Sequence, residues 1–331
     1  MFSRIFLIYS YLNPNYSSSF WHGNHPHVSY DYSSLSDYYL DFTCRVKPLA
    51  YASSDGVPLL KYPFCSDPQY NPCAVAQWGL GLWQLYRRSF ASAQNSKQIE
   101  PSSLKSQILL AANSLCQTFV YTSPTSGHWL YHFDLPAYSQ SSPWSSCISQ
   151  AQSISFLLRA IQLIEDPLSV KSVQNIVDAA FNTLLESTLN GGLCYSSKYL
   201  CFLEEIVSTP PSFILDGAMY GLFGVFDYFF YHNLDPLAQP SVQRLVSTLS
   251  RTLFLFDLGY WSRADLYPRR MLMPASPYYH SVHIAQLQAL YSLTGIHRFD
   301  FYAKRWHEYS KSVICRSCAF FAKILFKLVY Y

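Results

Sequence analysis

From Asn71 onward, apolar residues recur at helical spacing. The first such stretch, Ala74 to Phe90, opens on Asn71-Pro72, a capping residue followed by the imide that suits a helix's first turn. Similar periodicity over 103–121, 145–164, 168–189, 211–232, 238–255, 277–294 and 298–312 predicts eight helices. Asp166-Pro167, Asp235-Pro236 and Pro277 mark helix starts. The connections at 95–102, 165–167, 233–237 and 295–297 are short, whereas those at 122–144, 190–210 and 256–276 are long. The alternation pairs the helices into four hairpins. Laid side by side, the hairpins place all three long loops on one face, with the N-terminal end of each hairpin's first helix. The expected fold is mainly α: an (α/α) toroid or barrel of about four helical hairpins, with an open solenoid as the competing shape. The hairpins share architecture but no close sequence repeat.

The flanks divide the chain further. Residues 1–30 are rich in Ser, Tyr, His and Asn without a period, and form an irregular N-terminal segment. Residues 31–66 predict a small β-element, from the runs Tyr39-Leu40-Asp41-Phe42 and Leu59-Leu60-Lys61-Tyr62 around the turn Asp55-Gly56. Residues 67–312 are the helical domain, and 313–331 an apolar tail carrying Arg316, Lys323 and Lys327. That tail is expected as a last helix packed on the domain, a frayed end, or a helix lying on a membrane surface. The apolar run Ile5 to Tyr9 is too short to span a bilayer, and no Ala-x-Ala pattern follows. Neither a signal peptide nor an anchor is read there, and localisation stays open.

Composition narrows the function. A chain of 331 residues with 50% hydrophobic residues can bury one large core. Only 13% of residues are charged, and 28 tyrosines carry much of the polar character. Flat rings with a polar tip suit sugars. The net charge of +3 is too weak for a nucleic-acid partner but compatible with an anionic polysaccharide. The nine cysteines are scattered, and Cys315-Arg316-Ser317-Cys318 stands alone without a second CxxC, so no zinc site is read.

The face with the long loops collects the reactive side chains. Glu204 and Glu205 precede the helix that carries Asp216, and Tyr278, Tyr279, His280 and His283 open another. Tyr131, Trp144, Trp261, Arg263, Tyr267, Arg269 and Arg270 fall on the loops between. A carboxylate, phenols, imidazoles and arginines are suitable groups for moving a proton on and off carbon. His280 and His283, at i and i+3, lack further ligands for a metal and are read as substrate-binding or structural. Trp129, Trp144 and Trp261 suit either sugar stacking or core packing.

Several segments, in order, resemble one family. They are Asp55-Gly56-Val57-Pro58; Gln69-Tyr70-Asn71-Pro72 through Gln77-Trp78-Gly79-Leu80-Gly81; Trp144-Ser145-Ser146-Cys147 through Ser155; Glu204-Glu205 through Asp216-Gly217-Ala218-Met219-Tyr220; Tyr279-His280 through His283-Ile284-Ala285-Gln286-Leu287; and Phe301-Tyr302-Ala303-Lys304-Arg305-Trp306. Over roughly residues 50–310 the chain resembles the C-terminal domain of the D-glucuronyl C5-epimerases. The resemblance implies an isomerase that inverts glucuronate to iduronate within heparan-type polymers, on an (α/α) barrel preceded by β-structure. It implies an anionic uronic-acid polysaccharide as partner and is compatible with a homodimer; proton transfer without redox change demands no cofactor. Animal relatives work in the Golgi lumen behind an N-terminal anchor.

Residue by residue, Glu205 aligns with the family's catalytic glutamate and Tyr279 with its catalytic tyrosine on the opposite face. Tyr267, with one of Arg269 or Arg270, matches a Tyr and Arg expected at the uronate carboxylate. His280, Tyr278, Trp144 and Trp261 complete the expected substrate contacts, while Glu204 is expected on the solvated surface. Two departures stand out. Ile206 replaces a family tyrosine, so that Tyr267 or Tyr278 substitutes for it, or activity is altered or lost. Asp216 replaces the usual asparagine and needs a partner or a raised pKa. The alternatives are a polysaccharide lyase using the same proton abstraction, and a catalytically silent glycan-binding protein.

Overall fold

The computed structural model describes residues 35–62, 64–91 and 100–330. The expected N-terminal segment 1–30 lies outside the described residues. The eight expected helices are all present: α1 (Pro72–Ala91), α2 (Pro101–Thr118), α3 (Cys147–Ala160), α4 (Pro167–Leu185), α5 (Leu215–Tyr231), α6 (Pro240–Thr252), α7 (Pro277–Thr294) and α8 (His297–Lys311). Proline opens five of them, where its missing N–H is not needed. Ser146, Asp166 and Ser276 cap α3, α4 and α7 by accepting backbone N–H groups. Gly295, at φ +66°, ends α7 in the left-handed conformation.

α1 packs on α2 and α3, α3 on α4 and α5, α5 on α6 and α7, and α7 on α8. The first helices of the four hairpins are thus successive neighbours. Every residue of α3 except Ile148 is buried. It approaches α5 closely at Gly224, where a Cβ would stand 2.6 Å from the Cα of Ala151. Arg159 of α3 and Asp227 of α5 make a fully buried ion pair at 2.7 Å. Backbone carbonyls of Ser155 and Asp37 accept from the guanidinium and the Tyr39 hydroxyl donates to the carboxylate, while Arg159 Nε has no partner among the described residues.

Among the described residues, three two-stranded antiparallel ribbons decorate the helices. They are β1 (Leu59–Leu60) with β2 (Gln69–Tyr70), β3 (Phe119–Ser123) with β4 (Ser126–Trp129), and β5 (Cys194–Ser196) with β6 (Cys201–Leu203). Of the two runs expected in the N-terminal β-element, Leu59-Leu60 forms β1. Tyr39 to Phe42 is not one of these strands and leads into a 3-10 turn, Thr43–Arg45. A side chain of α1 reaches this segment: Gln84 accepts from the Phe42 N–H and donates to the Leu40 carbonyl.

The tail forms α9 (Val313–Tyr330), which buries Ala319, Lys323 and Phe326 against the domain. Lys323 Nζ donates to the Pro274 carbonyl in the third long loop. Among the described residues no helix is long and apolar enough to cross a membrane.

Candidate active site

β6 delivers Glu204 and Glu205 to the N-terminal end of α5, and the two carboxylates then diverge. Glu204 is only 1% exposed, contrary to the solvated position expected for it. Its Oε2 accepts from the Ser212 and Phe213 N–H groups and from the Ser212 hydroxyl. That clamp holds Phe213 at φ +46° just before α5, which is why the helix starts at Leu215 and not at 211. Burial raises the Glu204 carboxyl to about 7, although these donors pull it down.

Glu205 turns the other way, into a cavity of about 220 Å³. Its carboxyl lies over Gly217 in the first turn of α5, and its Oε2 has no hydrogen-bond partner. Desolvation, then the charges of Asp216, Asp265 and Glu204, raise its pKa well above the carboxylate range. A Glu205 carboxylate at that position binds a proton avidly.

Tyr279 lines the same cavity from the first turn of α7, with 38% of its surface open. The surrounding protein desolvates the phenol, and the nearby Asp216 carboxylate adds to the effect, so its pKa lies well above 10. Tyr279 is therefore a neutral O–H donor at physiological pH. Four further tyrosines, Tyr62, Tyr131, Tyr220 and Tyr278, also line the space, as do Asp216, Trp144, Asn71, Gln77 and Cys73. Trp144 stacks on Tyr131, ring centres 4.1 Å apart, and its Nε1 donates to the Phe133 carbonyl. The cavity is smaller than the roughly 300–1,000 Å³ of typical ligand pockets. It suits one ring of a longer chain. A larger depression of about 650 Å³ lies between the β3–β4 turn and α4, and none of the candidate site residues lines it.

Of the residues singled out in the sequence, Glu205, Tyr279, Tyr278 and Trp144 meet on this cavity. Tyr267, Arg269, Arg270, His280 and Trp261 are not on its lining. Arg269 donates to Asp265 at 2.7 Å and lies over the rings of Tyr138, Tyr267 and Phe326. Arg270 is exposed. His280 is buried and stacks on Trp261, centres 3.6 Å apart. Trp261 Nε1 donates to the Ala275 carbonyl, so this indole is a packing group here. Ile206 is also buried, in an apolar cluster with Tyr138 and Ile214 against which Tyr267 packs.

A cation that the sequence did not point to is Arg45. The 3-10 turn carries its buried guanidinium between α1 and α7, where it donates to Gln77 Oε1 at 3.1 Å and to the Tyr278 hydroxyl at 2.9 Å. Burial pushes Tyr278 up to about 12, with Arg45 pulling the other way. The signal available in sequence was slight: one arginine in an aperiodic segment with no charged neighbour in its turn.

The sequence model described as "D-glucuronyl C5-epimerase C-terminus" matches residues 123–308, more than half of the chain, and the protein belongs to that family. It is 26% identical over 183 residues to the D-glucuronyl C5-epimerase of Caenorhabditis elegans, covering 50% of this chain and 29% of that one. It is 25% identical over 185 residues to an uncharacterised protein of Methanocaldococcus jannaschii, covering 54% and 57% respectively. The chain thus matches less than two thirds of either relative's length. An epimerase-like function follows at the level of the family.

Proposed function

We propose that this protein is a polysaccharide uronate C5-epimerase, converting D-glucuronate to L-iduronate, with Glu205 and Tyr279 as its opposed proton-transfer groups. The observation that carries the reading is that both side chains line one cavity, Glu205 from the approach to α5 and Tyr279 from the first turn of α7. Ionised Glu205 takes the C5 proton on one face, and the electron pair left on C5 delocalises into the adjacent carboxylate. Tyr279 then donates its phenolic proton to the other face. The developing dianion needs positive charge. Arg45, which donates to Gln77 and Tyr278 on the cavity lining, supplies it from behind that wall. Trp144 and Tyr131 offer a stacked aromatic wall for the pyranose. The succession α1–α3–α5–α7 with α2, α4, α6 and α8 behind is read as an (α/α) toroid. The extended segment before Arg45 lies across its α1 and α5 members.

A heparan-type glucuronate polymer is the substrate class the family suggests. The test is proton NMR of a desulfated uronic-acid polymer incubated with the protein in heavy water. Deuterium at C5 with iduronate signals supports the reading. A product absorbing in the ultraviolet, from C4 elimination, points to a lyase instead. The buried Ile206, where the family carries a phenol, favours a second reading as a silent glycan-binding protein. Binding without any exchange would establish that one.

A further inference from the structure

An epimerase that takes a proton on one face and gives one on the other ends its cycle inverted. Glu205 is left protonated and Tyr279 ionised, and a proton must return before the next turnover. Accepting the roles proposed above, we infer that Asp216 and His283 form the path by which that proton returns.

The observation is a buried chain of groups whose partners dictate where the protons sit. His280 Nε2 faces the Trp306 carbonyl at 3.0 Å, an acceptor only, so Nε2 carries hydrogen. Its Nδ1 accepts from the Ser262 N–H at 3.2 Å and is therefore bare. Burial holds this ring neutral, its pKa lowered to about 3. The Ser262 hydroxyl lies 2.8 Å from the same bare Nδ1, and only an O–H pointing at it makes that contact attractive. Ser262 Oγ then has a lone pair for His283 Nδ1, 2.9 Å away, and His283 is fixed with its hydrogen on Nδ1. What remains is His283 Nε2, which has no hydrogen-bond partner and faces Asp216 Oδ1 at 3.7 Å. A neutral imidazole there would point a lone pair at a carboxylate. The inferred path requires one proton on this pair, on the ring or on the carboxyl.

Asp216 is also the link between the two reacting groups. It lines the cavity together with both of them, and the Glu205 carboxyl lies over Gly217, the next residue of α5. The return step balances without any outside reagent. The Glu205 carboxyl gives its proton to the Asp216–His283 pair, and the pair gives the proton it already held to the Tyr279 phenolate. Glu205 becomes a carboxylate, Tyr279 a phenol, and the pair is unchanged.

The test has two arms. With ¹⁵N-histidine labelling and no substrate, NMR of the protein should show His283 protonated at Nδ1, identified by its loss in His283→Gln, with an Nε2 signal that moves in Asp216→Asn. A His283 protonated at Nε2 and bare at Nδ1 would overturn the inference. In the second arm a desulfated glucuronate polymer is followed in heavy water, first with enzyme in excess and then in steady state. Asp216→Asn and His283→Gln should slow steady-state turnover by about tenfold more than they slow the first turnover. Equal losses in the two regimes, from a wild type that does exchange deuterium, would overturn the shuttle and leave Glu205 and Tyr279 standing. A wild type with no exchange would overturn the epimerase reading itself, and the shuttle's role with it.

Discussion

A Cβ on Gly217 would stand 2.4 Å from both the Cβ and the Oε2 of Glu205. Glu205 can lie over the first turn of α5 only because position 217 has no side chain. Gly217→Ala should push Glu205 off its position while leaving α5 helical, since alanine favours the helix. The expected result is a loss of about 1–3 kcal/mol in stability from overpacking and a fall in C5 exchange of roughly 100-fold. Urea unfolding and exchange rates on the same variant measure both.

Glu204 should give the fold a pH dependence. Its pKa rises from an ordinary 4.5 to about 7 on folding. The folded state therefore binds this proton more tightly than the unfolded chain. The resulting stabilisation is complete below pH 4.5 and is lost as pH climbs through 7. The rise corresponds to roughly 3 kcal/mol at most. Glu204→Gln keeps an acceptor for Ser212 and Phe213 but cannot ionise. Between pH 4.5 and 8 the wild-type urea midpoint should fall relative to that of the variant. Parallel curves would contradict the assignment.

The paired charges of Arg159 and Asp227 bind α3 to α5 from a position wholly out of solvent. Removing one partner, as in Asp227→Leu, should cost about 3–5 kcal/mol, because a bare guanidinium remains in the core. Replacing both, Arg159→Met with Asp227→Leu, should recover much of that loss. Thermal unfolding of the two variants compares them directly.

Arg45 should matter to substrate affinity more than any exposed arginine. Arg45→Gln removes the charge beside Tyr278 and should raise KM about tenfold, with the Tyr278 phenol harder to ionise. Arg45→Lys should recover part of the affinity. Arg270→Gln, at an exposed position off the cavity, should change KM little.

Much of the fold was legible because local chemistry marks the helix ends. Asn71-Pro72, Asp166-Pro167 and the Ser276-Pro277 start lie within a residue of the observed helices. The start of α5 was less legible, since the Glu204 clamp on Ser212 and Phe213 is a contact made eight or nine residues away. The tie between the N-terminal segment and α1 was not legible, because Gln84, which bonds the Leu40 and Phe42 backbone, lies more than forty residues on. At the site, Glu205 and Tyr279 were visible as reactive groups at helix starts. Arg269 and Trp261 looked equally suitable, but Asp265 engages the one and His280 stacks on the other. Whether an arginine or tryptophan meets substrate or its own core depends on tertiary partners that spacing alone does not reveal.

The central claim is that Glu205 and Tyr279 work on opposite sides of one sugar ring. Deuterium incorporation at C5 of a desulfated glucuronate polymer, followed by NMR for wild type, Glu205→Gln and Tyr279→Phe, tests it most directly. Exchange by the wild type, its loss in both variants, and polymer binding retained by both are the predicted results. Exchange that survives in both variants would contradict it.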